Sequence, residues 1–118
     1  MKHLQEYSLF ENQVTLTSEQ KSWLDECTSG QWTLNSQTGL VDVEGGFDCS
    51  SQNLQDFKGI RFGEIGGSFY CYENSLTILE GAPQEVGGSF YCYQNSLTSL
   101  KGAPQRVGGN FYCHHNSL

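Results

Sequence analysis

The chain has 118 residues, with 14 glycines and a formal net charge of −7 from six Lys plus Arg against thirteen Asp plus Glu. So short and acidic a chain excludes a two-lobed enzyme and excludes binding of nucleic-acid phosphates through basic side chains, while 13% aromatic residues and only two prolines exclude a disordered chain. Met1 to Tyr7 holds no apolar run of about 7–15 residues, so no signal peptide is expected, and no segment approaches the ~20 apolar residues of a membrane span. The missing span goes with an expectation of no membrane partner, and the five cysteines, an odd number that cannot pair completely, point to a reduced, cytoplasmic setting.

Residues 1–44 read as an N-terminal cap, a helix followed by a hairpin. Thr17-Ser18-Glu19-Gln20 fits a capping box, with Thr17 at the N-cap and Gln20 at the third helical position. The short helix that follows should carry Trp23, Leu24 and Cys27 on one face and end at Gly30. Trp32–Leu34 and Leu40–Val43 read as two strands around a loop in which Gly39 suits a positive φ. Seven Asp plus Glu against two Lys in this segment make it either a solubilising cap or an acidic surface for a basic partner.

From Gly45 to Leu118 the chain repeats itself. Residues 66–86 and 87–107 differ at four of 21 positions, residues 108–118 begin a further copy, and a degenerate copy starts at Gly45. There Phe47, Cys49, Leu54, Phe57 and Gly59 match Phe69, Cys71, Leu76, Leu79 and Gly81 at a spacing of 22. A unit this short cannot bury a core alone, so successive copies must stack as a solenoid and form one cooperative domain with the cap. Ser-Phe-Tyr-Cys-Tyr reads as a short strand with Phe and Cys facing one way and the two tyrosines the other, and the Gly-Ala-Pro and Gly-Gly pieces read as turns. The expected fold is therefore mainly β.

The run Phe90-x-Cys92-x-x-Asn95-x-Leu97-x-x-Leu100 resembles the leucine-rich-repeat pattern, with Phe and Cys at two leucine positions. The whole unit GAPxxVGGxFxCxxNxLTxL is similar to repeat proteins of bacteriophages and some bacteria, and Trp32, Asn35, Thr38, Gly39, Val41, Asp42 and Val43 match the segment preceding the repeats there. The resemblance spans about residues 16–118 and departs from a leucine-rich repeat in placing Gly-Gly where a leucine would begin the strand. It implies stacked inward columns of Phe69, Phe90 and Phe111, of Cys71, Cys92 and Cys113, and of Leu76, Leu97 and Leu118. It also implies a ladder of Asn74, Asn95 and Asn116 that satisfies buried backbone groups.

No catalytic motif is present, and neither an enzyme nor a cofactor is expected. The cysteines recur at the repeat period and not at metal-ligand spacing, so they read as small buried hydrophobes, with disulfide or metal roles as the alternative. His114 and His115 are adjacent on a strand, so their side chains should diverge and not chelate one ion. The binding candidates are the outward rows on a concave sheet face: Tyr70, Tyr91 and Tyr112; Tyr72, Tyr93 and His114; Glu73, Gln94 and His115. Tyrosine offers rigid contact area with a polar tip, though such rows also stabilise a sheet by themselves. The expectation is a phage-encoded module that binds a host or phage protein in the host cytoplasm through this face. The alternatives are a structural or virion-associated protein forming homo-oligomers through an open C-terminal solenoid edge, and stacking of sugars or single-stranded bases, the latter opposed by the acidic charge.

Overall fold

The computed structural model describes residues 14–28 and 31–118, so the expected helix stop at Gly30 and the reading of Met1 to Tyr7 lie outside the described residues. Helix α1 (Ser18–Thr28) begins on the expected capping box. The Thr17 amide donates to Gln20 Oε1 at 2.9 Å and the Gln20 amide donates to Thr17 Oγ1 at 3.1 Å. Strands β1 (Trp32–Leu34) and β2 (Leu40–Val43) form the antiparallel hairpin, and Gly39 turns it at a φ of 78°. None of the described helices is long and apolar enough to cross a membrane.

Beyond the hairpin the chain winds as a β-solenoid of parallel coils about 21 residues long, alternating between two sheets. Strands β3 (Phe47–Asp48), β5 (Phe69–Tyr70), β7 (Phe90–Tyr91) and β9 (Phe111–Tyr112) form one sheet. The other runs in the order β1-β2-β4-β6-β8 through β4 (Arg61–Ile65), β6 (Glu85–Val86) and β8 (Arg106–Val107). The sequence shows only β1 and β2 of this second sheet, because two-residue stretches such as Glu85–Val86 are too short to show an alternation. The Gly-Gly pairs form the corner between the sheets. A Cβ on Gly87 would run into the carbonyl oxygen of Gly66, one coil earlier, so the coil spacing itself demands glycine there.

Parallel pairing in register sets like on like: Phe69 pairs with Phe90 and Phe90 with Phe111. The phenylalanine column starts at Trp23 of α1, whose indole meets Phe47 edge to face at 5.3 Å, and continues through Phe69 and Phe90 at ring separations of 5.3 and 5.6 Å. Cys49, Cys71 and Cys92 fill a parallel buried column of free thiols, with Leu76 and Leu97 behind them. Burial pushes the thiols of Cys49 and Cys71 well above the ordinary value and that of Cys92 up to about 12. The expected columns end sooner than the repeat does. Phe111 and Cys113 are half-buried and Leu118 is 60% exposed, because the fourth coil has a neighbour on one side only among the described residues.

The asparagine ladder is present. Asn95 Nδ2 donates to the carbonyls of Cys71 and Cys92 at 3.0 and 3.1 Å, and its Oδ1 accepts from the Leu76 amide at 3.0 Å. Asn74 and Asn116 repeat the pattern. In the first coil Gln52 stands at this position, its amide donating to Asn74 Oδ1 while its side chain turns to the cap and accepts from Trp23 Nε1 at 2.8 Å.

Candidate functional site

The outward positions of β5, β7 and β9 and of the residues just after them build a strip of rings. Tyr70, Tyr91 and Tyr112 stack at 4.7 and 4.8 Å with interplanar angles of 11° and 16°. Tyr72, Tyr93 and His114 form a second column at 4.7 and 4.6 Å, within 6° of parallel. The spacing is that of neighbouring strands, so the backbone ladder imposes the ring stack. The ladder runs past the strand ends, as the Cys71 and Glu73 amides donate to the carbonyls of Tyr91 and Tyr93. Beside the columns runs a row of short polar groups, in which Ser68 Oγ accepts from the Ser89 amide and Ser89 Oγ from the Asn110 amide, both at 2.9 Å.

This geometry defines what the strip offers. Each inner ring has both faces covered by its column neighbours, so a sugar or base has no face to stack on at Tyr91 or Tyr93. Ring edges and hydroxyls remain. Tyr112 Oη accepts from Asn110 Nδ2 at 3.0 Å, whereas the hydroxyls of Tyr70, Tyr72, Tyr91 and Tyr93 have no hydrogen-bond partner among the described residues. The Tyr93 phenol is pushed above its ordinary value, first by the water its neighbours displace and then by the proximity of Tyr72, Glu73 and Tyr91. It stays a hydrogen-bond donor at neutral pH.

All nine candidate residues lie on this one side of the molecule, with two corrections to how they sit there. Glu73, Gln94 and His115 are not strand residues but occupy left-handed corners with φ of 54–55°, and their side chains are exposed. The imidazoles of His114 and His115 do not diverge: they meet edge to face at 5.1 Å, because His114 is held in the ring column while the corner turns His115 back toward it. No group of three metal-ligating side chains comes together among the described residues.

A depression of about 870 Å³ runs over the five-stranded sheet, and Asp42, Glu44, Glu64, Gly66, Glu85 and Gly87 are among the residues that line it. Asp42 Oδ1 accepts from the Glu64 amide at 2.8 Å, and Arg106 approaches Glu85 at 3.7 Å with both side chains well exposed. Asp42 and Glu44 belong to the acidic segment noted in the sequence, whereas Glu64 and Glu85 join them through strands β4 and β6, which the sequence did not reveal. No protein-family model, no curated protein and no solved structure matches this chain.

Proposed function

We propose that this β-solenoid is a non-enzymatic recognition module that binds a protein partner through the aromatic strip. The observation that supports this reading is the set of four tyrosine hydroxyls, on Tyr70, Tyr72, Tyr91 and Tyr93, that have no partner among the described residues and are held in two rigid columns on an exposed face. Packing alone would be served equally by phenylalanine. Hydroxyls on rings already ordered by stacking lose little entropy when they bind, which is the property that enriches tyrosine at interfaces. The repeat resemblance suggests a phage-encoded chain acting on a host or phage protein in the host cytoplasm.

The experiment is affinity capture from bacterial lysate, comparing the native chain with a Tyr70→Ala, Tyr91→Ala, Tyr93→Ala variant of matched helix and strand content. A protein retained by the native chain and lost by the variant supports the reading. Capture of the same proteins by both, or of none by either, contradicts it.

A further inference from the structure

The ring strip stops one coil short of the cap. Strand register places Asp48 opposite Tyr70 as Tyr70 stands opposite Tyr91, so the first coil carries a carboxylate where later coils carry phenol rings. At the same repeat spacing, Ser50 takes the place of Tyr72. An aspartate side chain ends at its carboxylate and a serine at its hydroxyl, while a tyrosine ring projects well beyond either. The first-coil faces of Tyr70 and Tyr72 therefore meet no ring among the described residues, although their opposite faces are covered by Tyr91 and Tyr93 at 4.7 Å. Gly46 beside Tyr70 adds nothing to fill the space: a Cβ there would lie 4.0 Å from Tyr70 Cε1. The result is a step with aromatic faces for a wall and a carboxylate at its foot.

The carboxylate is both fixed and incompletely used. Asp48 Oδ1 accepts from the Ser50 amide at 3.0 Å and from its hydroxyl at 2.6 Å, and Oδ2 has no partner among the described residues. Glu73 places a second carboxylate at the adjacent corner, 3.5 Å from Ser51 Oγ. The ion pair formed among the described residues joins Arg106 to Glu85 on the other sheet, so no described Lys or Arg forms an ion pair with Asp48 or Glu73.

A planar cation fits these features together. Guanidinium stacks on a phenol face and donates in a fork to a carboxylate, whereas ammonium is compact and strongly hydrated, and a neutral sugar leaves both carboxylates unneutralised. We infer that the step formed by Asp48, Ser50, Tyr70 and Tyr72 is an arginine-binding notch, where an arginine side chain of the partner anchors to the strip. This rests on the strip being a recognition surface and gives its partner a chemistry.

The test is an NMR titration of the whole chain, labelled on amides and aromatic rings, with Nα-acetyl-arginine amide as the probe and Nα-acetyl-lysine amide and methyl glucoside as comparators. The arginine probe is expected to shift the Asp48 and Ser50 amides and the Tyr70 and Tyr72 rings, and to bind at least about threefold more tightly than the lysine probe. Its effect should vanish in Asp48→Asn, which keeps an acceptor for Ser50, and in Tyr70→Leu, with the Phe90 and Cys92 amides as a control for folding. No shifts at the notch, equal shifts in Asp48→Asn, or equal shifts with the glucoside would overturn the inference. Because the probe needs no partner, the two readings fail separately. A silent notch beside partner capture that still depends on Tyr91 and Tyr93 removes the notch alone, and a responsive notch with no partner captured removes the recognition reading alone.

Discussion

The first coil and the two that follow it solve the same stacking problem for different neighbours. Coils two and three differ at four of 21 positions, and the residues that face from one to the other repeat as columns of phenylalanine, cysteine, leucine and asparagine. The first coil keeps Phe47, Cys49, Leu54 and Phe57 inside but changes wherever it meets something other than a coil. Gln52 replaces the ladder asparagine because its partner is the Trp23 indole, and Asp48 and Ser50 end the ring columns. Inward repetition thus reports the demands of stacking. Outward residues are free of that demand, so the place where they stop repeating locates a change of use.

The sharpest way to break this comparison is at the corner glycines. Gly87→Ala pushes a Cβ into the Gly66 carbonyl, while a Cβ on Gly45 meets only the flexible end of Gln31, its Oε1 at 3.1 Å. Denaturant unfolding should show a loss of about 4 kcal/mol or more for the first and about 1 kcal/mol or less for the second. Equal losses would mean that the coils do not stack as described.

Adjacent residues on one strand separate the two faces. Phe90 is fully buried and Tyr91 half-exposed. Phe90→Ala is expected to cost about 3–5 kcal/mol, and Tyr91→Ala only about 1–2 kcal/mol for its two stacking contacts, read from the same unfolding curves. In the ladder, Asn95→Ala strands backbone groups of two coils and should cost about 2–3 kcal/mol, against about 1 kcal/mol for Gln52→Ala, which loses a cap contact.

The thiol column supplies the mildest test. Burial raises Cys71 and Cys92 above the ordinary value of 9.0, so above that pH the unfolded chain releases protons that the folded one retains. Stability should therefore fall as pH rises from about 9 toward 12, by up to about 1.4 kcal/mol per pH unit for each buried thiol. Urea midpoints should show a shallower decline in Cys71→Ala and little change in slope for Cys27→Ala, since Cys27 is only partly buried.

Much of the fold was legible because each signal was local and repeated. The capping box, the hairpin limits and the inward columns could be read from a few residues each, and register then followed from the repeat itself. Beyond the hairpin the second sheet was hidden, since its strands at Glu85–Val86 and Arg106–Val107 are defined by hydrogen bonds between coils and not by any pattern within one. For the same reason the part that Glu64 and Glu85 play in the acidic depression was out of reach. The strip's membership was legible from alternation, but the left-handed corners at Glu73, Gln94 and His115 were not, because none of them is a glycine. Asp48 was within reach: laying the degenerate coil residue by residue on the next places it at Tyr70.

The tyrosine hydroxyls are either used in binding or merely carried on a stabilising ladder. The most direct measurement replaces Tyr70, Tyr91 and Tyr93 together by Phe, which keeps the stacked rings and removes only the hydroxyls, and compares affinity for the captured partner. Three lost hydrogen bonds at about 0.5–1.5 kcal/mol each predict a weakening of at least about tenfold with little change in melting temperature. Undiminished binding by the Phe variant would contradict the account and leave the rings as sheet stabilisers.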